Sequence, residues 1–167
     1  MKTQVRQSRI RQRGVAAVEL GIVLTLLVTI VFGITEFGRA MYQYDALTKS
    51  ARAAARYLAV YDSADPAVQA RTRCVAVFNN PDCSAANATP AAPGLTTGNV
   101  DVAVGTAGAP GFDPALQGVV TGEGTMDLVR VTIGAPATPY TFVSLVSFVV
   151  PDIQFGPISA TMPKSFF

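Results

Sequence analysis

Gly14 and Glu19 pose the first chemical question. In RQRGVAAVEL, residues 11–20, basic residues lead to a glycine, and an apolar segment opens at Val15. A carboxylate, Glu19, follows five residues after the glycine, and no further charge appears before Glu36. An acid in the apolar zone of a bilayer costs roughly 2.5–3.5 kcal/mol at mid-span and less near the interface. Three readings of it stand at this point. Glu19 can sit at headgroup level, with the span beginning at Leu20 and leaving 16 uncharged residues to Thr35, slightly short of the usual range. The segment can be a secretory signal cut after the small-x-small site Gly38-Arg39-Ala40. Glu36, the arginine inside that site and the length of the apolar run all argue against this. Or the backbone is cut after Gly14, which leaves an α-ammonium on Val15 four peptide bonds from Glu19. Ammonium and carboxylate then compensate one another, in part against the cost of desolvating both.

Other reactive side chains are few. Cys74 and Cys83 both fall after the apolar run and fit one disulfide in an oxidising compartment, in preference to two buried thiols. Histidine is absent, which removes the commonest general base and metal ligand. The acids from Asp45 to Asp152 are scattered singly, with no metal-ligand cluster, phosphate-binding loop or nucleophile elbow. The sequence therefore predicts no enzyme, no cofactor and no metal. Asn87-Ala88-Thr89 matches the N-glycosylation triplet, which is frequent by chance and carries no weight here.

Composition agrees with a membrane segment joined to a small exported region. Of 167 residues, 50% are hydrophobic and only 14% charged, against roughly 25% charged in an average soluble protein. The net charge of +2 belongs to the tail. Five of the thirteen basic residues (Lys2, Arg6, Arg9, Arg11 and Arg13) precede Gly14 and no acid does. From Val15 onward eight basic residues face eleven acids, a net −3. A basic tail before a span is the positive-inside signal, with the tail cytoplasmic and the following chain outside. Nucleic-acid binding is disfavoured, because no basic patch or groove-reading motif follows the tail.

These residues require a long helix to position them. Four zones are expected: 1–14 basic leader, 15–35 transmembrane helix, 36–61 amphipathic extension and 62–167 a small α+β region outside the membrane. No proline interrupts 15–61, so one helix on the order of 70 Å is expected. In the span Gly21, Thr25, Thr29 and Gly33 recur every four residues, a small-residue stripe suited to helix packing. Small residues are also common in spans generally. In the extension Phe37, Met41, Tyr44, Thr48, Ala51, Ala55 and Leu58 share one face and are expected to be buried. Glu36 and Arg39 are placed to pair on the helix surface, worth a few tenths of a kcal/mol and not predicted as a site.

Downstream, Asp65 reads as an N-cap with Pro66 in the first helical position, opening a helix to about Phe78. Cys83 would then be pinned back onto that helix by Cys74. Residues 84–98 read as loop, and NVDVAVG, MDLVRVTIG and GPISATMP as strands. Residues 105–124, with six glycines and two prolines, read as one long loop. TPYTFVSLVSFVVP fits either a short helix or a strand. The fold class is α+β, a long helix packed on a small antiparallel sheet.

The segment RGVAAVELGIVLTLLVTIVFGITEFGRAMYQYDALTKSARAAARYLAV resembles the N-terminal region of TadE-like proteins. These are minor pilin or pseudopilin components of the tight-adherence, Flp-type branch of type IV pilus systems. The matching elements are the basic residue before Gly14, Glu19 at position five of the presumptive mature chain, EFGRA and SARAAARYLAV. The resemblance implies a pilin-like fold and cleavage between Gly14 and Val15 by a prepilin peptidase, an aspartic protease of the inner membrane. Leu20 departs from the aromatic residue that Flp-type substrates favour after the glutamate. The resemblance further implies other pilin or TadE/TadF-like subunits, the inner-membrane assembly platform and membrane lipid as partners. The expected role is pilus assembly, adhesion and biofilm formation from a single-pass protein of the bacterial inner membrane. The alternative is a membrane-anchored periplasmic binding or structural protein that never enters a filament.

Overall fold

A computed structural model describes residues 8–165 apart from Asn87 and Glu123, with side chains from Gly14 onward. The tail charges Lys2, Arg6, Arg9, Arg11 and Arg13, and Asn87 of the glycosylation triplet, lie outside what is described. Helix α1 runs from Ser8 to Val60 as 53 residues without a break. It therefore begins before Gly14, so the Gly14–Val15 bond lies in helical backbone. Leucine is frequent in its apolar half and alanine and arginine in the half that follows, and all three favour helix.

Two compact units emerge. One comprises Arg39 and the residues before it, together with Ser144–Pro151. The other comprises Ala40–Val143 and Asp152–Phe167.

In the larger unit, α2 (Pro66–Phe78) starts and stops where local chemistry dictates. The Asp65 carboxylate accepts the Ala67 N–H at 2.8 Å, and Pro66 occupies the first turn. Asn79 ends the helix in the left-handed region at φ 53°, where asparagine is one of the few tolerated residues. Strands β1 (Val100–Val104), β4 (Leu128–Ile133) and β7 (Ile158–Pro163) form an antiparallel sheet in the order β1-β4-β7. Val102 pairs with Val131, and Val131 with Ala160, so alternate residues of all three strands share one face. That face carries Val100, Val102, Val104, Val129, Val131, Ile133, Ile158 and Ala160, all buried, with Leu47, Ala51, Ala54, Ala55 and Leu58 of α1 in the same core. Helix on antiparallel sheet is the expected α+β architecture.

Three expectations change. Phe37, Met41 and Tyr44 are 66%, 54% and 46% exposed, and the buried positions of that part of α1 are Glu36, Ala40, Gln43, Leu47 and Ser50. The buried stripe is thus rotated by one residue, about 100°. Apolar size does not select the face here. The positions one residue earlier are covered instead, Gln43 beside the Tyr140 hydroxyl and Leu47 in the core shared with the sheet. Residues 105–124 are not one loop: β2 (Val119–Thr121) and β3 (Gly124–Met126) pair as a hairpin. Before it, Gly105 passes so close to the Leu116 carbonyl that a methyl group would collide with it. TPYTFVSLVSFVVP forms neither a helix nor a full strand. Only Thr141–Phe142 (β5) is extended, paired with Ile153–Gln154 (β6).

Most polar groups inside the larger unit have partners, the buried Ser63 hydroxyl being the exception among the described residues. The Tyr140 hydroxyl lies 2.8 Å from the Pro93 carbonyl and 3.0 Å from Gln43 Oε1, and donates to one of them at a time. Burial raises its pKa above the usual tyrosine value. Gln69, also buried, donates to the Ser63 and Pro110 carbonyls at 2.9 and 2.7 Å, tying two loops to α2. Asp113 accepts from Arg130 and also from the Ala115 N–H at 3.0 Å.

Candidate functional site: the apolar helix and its outer end

Gly14, Val15, Glu19 and Leu20 are all exposed on α1. A methyl group built on Gly14 would meet nothing within 4 Å, so the bond after it is sterically open. Among the described residues Glu19 has no hydrogen-bond or ion-pair partner. Beyond it, Leu20, Ile22, Leu26 and Ile34 are each about two-thirds exposed, and no residue of the most apolar window is buried in the protein. That separates α1 from the core helix of a soluble domain, whose apolar residues would be covered. This one helix is a candidate membrane span, consistent with a membrane anchor.

The small-residue stripe is present along the helix, and its polar atoms are self-satisfied. Thr25 Oγ1 donates to the Gly21 carbonyl and Thr29 Oγ1 to the Thr25 carbonyl, each at 2.9 Å. Thr35 repeats the pattern on Val31. Such back-bonding removes the cost of placing a hydroxyl in hydrocarbon. Any packing on this stripe would therefore rely on close approach, not on hydrogen bonds across the contact. Gly21 is open, whereas the space above Gly33 ends at Val149 Cγ1, 3.9 Å from where a Cβ would sit.

The most structured polar group of this unit is one the sequence undervalued. Glu36 is 2% exposed, with both carboxylate oxygens accepting from Arg39 Nη1 at 2.9 and 2.8 Å. The same carboxylate faces Ser144 Oγ and the Leu145 N–H, each at 3.4 Å. Ser144 Oγ accepts the Val146 N–H at 3.1 Å, and the Val146 carbonyl accepts from the Val149 and Val150 N–H groups. The i,i+3 pair expected on the helix surface instead has its carboxylate buried, and it tethers the loop Ser144–Pro151. Charge-assisted hydrogen bonds of this kind are stronger than neutral ones. The available signal was EFGRA together with an uncharged run more than a hundred residues later. Spacing alone does not connect them.

In the larger unit Cys74 and Cys83 form a disulfide, with Cα atoms 5.1 Å apart. Asx turns shape the returning chain: the Asp82 N–H donates to Asn80 Oδ1 at 2.9 Å, and Asp82 Oδ1 accepts from the Ser84 hydroxyl and N–H. Those two bonds hold the Asp82 carboxyl below the usual range, the hydroxyl contributing most.

The family model described as TadE-like protein matches residues 14–56. The match begins at the glycine of the opening motif, covers the candidate span, and ends within the amphipathic part of α1. No curated protein and no solved structure matches the chain. Residues 14–56 are TadE-like, as the resemblance in the sequence has it, which points to a Tad pilus-related protein.

Proposed function

We propose that this chain is a minor pilin or pseudopilin of a Tad/Flp-type IV pilus or a related secretion system. In this reading it is processed by a prepilin peptidase after Gly14 and acts in pilus assembly, surface adhesion and biofilm formation. One observation carries the reading: the TadE-like match lies on a helix whose membrane-length window hides no residue inside the protein. The extent of the chain beyond α1 favours an accessory role over that of a bulk filament subunit.

The chemistry follows from the exposed motif. Hydrolysis of the Gly14–Val15 amide consumes one water, leaving a carboxylate on Gly14 and an ammonium on Val15. Glycine on the leaving side presents no side chain to the peptidase. The new ammonium and Glu19 then lie near the positive end of the shortened helix dipole, where a carboxylate is favoured. Pairing within the chain or with a neighbouring subunit offsets the cost of an acid in the apolar zone. Basic residues before Gly14 keep the leader cytoplasmic, and the C-terminal region after the span lies in the periplasm of a single-pass inner-membrane protein. Phe37, Met41 and Tyr44, large side chains on the helix surface, support contact with other pilin or TadE/TadF-like subunits and with the assembly platform. The role is interaction and assembly, without catalysis, cofactor or metal.

Intact-mass measurement on the membrane fraction tests the processing step. The expected mature chain begins at Val15, and a chain still carrying Met1 in the presence of its peptidase would overturn it. Glu19→Ala is expected to insert normally yet reduce pilus output. Recovery of the protein only in membranes and never in sheared filaments would favour the anchored binding protein instead.

A further inference from the structure

We propose that the loop Ser144–Pro151 is a second membrane contact, lying in the outer interfacial layer of the bilayer beside α1, with Leu145 and Phe148 inserted among the lipids. The inference rests on the reading of α1 as a membrane span and adds to it a separate surface and a separate partner, the lipid itself.

Position comes first. The loop belongs to the same compact unit as the apolar half of α1, with Val149 against Gly33 and Ser144 and Leu145 at Glu36. Residues 33–35 are the outer end of the uncharged run, and Glu36 follows directly. The loop is therefore continuous with the lipid-facing surface of the span at the level where hydrocarbon meets headgroups.

Composition comes second. SLVSFVVP contains no charged residue. Leu145 is 76% exposed, and Phe148, at 84%, is the most exposed large apolar side chain among the described residues. Apolar side chains in this state at an interface mark a contact surface.

The backbone distinguishes lipid from water as the occupant. Unpaired N–H groups are harmless in water but costly in a bilayer. Here Leu145 N–H is directed at Glu36, Val146 N–H at Ser144 Oγ, and Val149 and Val150 N–H at the Val146 carbonyl. Four donors of an eight-residue loop are satisfied within the unit. Ser144, the polar side chain at the start of the loop, turns toward Glu36. Arg39, three residues further from the span and bonded to Glu36, is at the height where a guanidinium can also meet lipid phosphate. The loop thus presents Leu145 and Phe148 outward, beside the exposed Ser147, and turns Ser144 and four of its backbone donors inward.

The chain contains no tryptophan, so single substitutions give clean fluorescent reporters. Full-length Phe148→Trp and, separately, Ile30→Trp would be reconstituted in phosphatidylcholine vesicles with and without lipid brominated near the headgroup end of its acyl chains. The proposal expects Phe148→Trp to show blue-shifted emission, lose most of it to the brominated lipid, and resist aqueous iodide. Ile30→Trp reports whether α1 is in the bilayer at all, tested also with lipid brominated deeper in the chain. Quenching of Ile30→Trp with iodide-accessible Phe148→Trp would overturn the loop proposal and leave the span intact. A blue-shifted Phe148→Trp that bromolipid does not reach would overturn it in favour of a protein partner. Loss of quenching at both positions would remove the membrane reading from which both follow. Leu145→Trp, made in parallel, guards against a local perturbation at position 148 and is expected to behave as Phe148→Trp does.

Discussion

The two parts of α1 belong to one continuous helix and do opposite things with their apolar residues. Residues 15–35 are the more apolar, yet none of the span's core is covered by the rest of the chain. Residues 40–59, richer in charge and alanine, bury Leu47, Ala51, Ala54, Ala55 and Leu58 almost completely. Apolar content therefore does not say where a helix packs. In the second part, alanines and leucines share a core with the valines and isoleucines of the sheet. In the first, bulky Leu, Ile and Val side chains point outward, which suits a surrounding that is itself apolar.

The sharpest test of that contrast pairs one leucine from each part. Leu58→Ala is expected to cost about 2–5 kcal/mol, the range for a buried leucine, whereas Leu27→Ala, at a position 54% exposed, should leave urea unfolding of the detergent-solubilised protein nearly unchanged. Equal losses at the two positions would break the distinction. Next in size, Cys74→Ser or Cys83→Ser removes a constraint on a loop of sequence separation 9, worth about 2–3 kcal/mol by the chain-entropy argument. The urea midpoint of the parent protein should fall by the same amount on adding reductant, and that of either variant should not move. Glu36→Ala should cost about 1–3 kcal/mol, the penalty for stranding buried partners. It should also raise hydrogen exchange at the Leu145 N–H while leaving β4 protected, since the carboxylate acts within the smaller unit only.

The smallest effects concern titration. Tyr140 has its pKa raised by burial, so the folded state favours the neutral phenol. Its contribution is complete below the unfolded value near 10 and is lost as pH rises through the higher folded value. A pH titration of stability should therefore bend downward above about pH 10, and Tyr140→Phe should remove the bend. Lys49 has its pKa raised by its hydrogen bond to Asp45 and by that carboxylate's charge, with the same sign of dependence. The pair is fully exposed, and Lys49→Ala should give no measurable change.

Much of the larger unit was legible from residue order because its signals are local. Asp65-Pro66 set one helix start, alternating valines marked β1 and β4, and two cysteines at short spacing closed on each other. The misreadings involve choices that only tertiary packing makes. The helix face containing Phe37 and Met41 had the stronger apolar signal, yet the buried positions there are Ala40 and Gln43, one residue round. Val119–Thr121 and Gly124–Met126 are three-residue strands, too short for alternation to register among glycines. Of the candidate site, the positions on α1 could be placed from sequence because a helix fixes their geometry. The bond between Glu36 and residues 144–145 could not, because no local rule links a carboxylate to a serine across that separation.

The threonines of the span have a further consequence. Hydroxyls that bond to their own helix exchange no partners when the helix moves from one surrounding to another. Transfer of α1 from lipid into a protein sheath would leave Thr25, Thr29 and Thr35 unchanged and incur no polar desolvation at those positions. Glu19, unpaired among the described residues, is different. It is the group whose energy depends on what the helix travels beside. A single carboxylate can thereby act as a gauge of destination on a helix that is otherwise indifferent to its solvent.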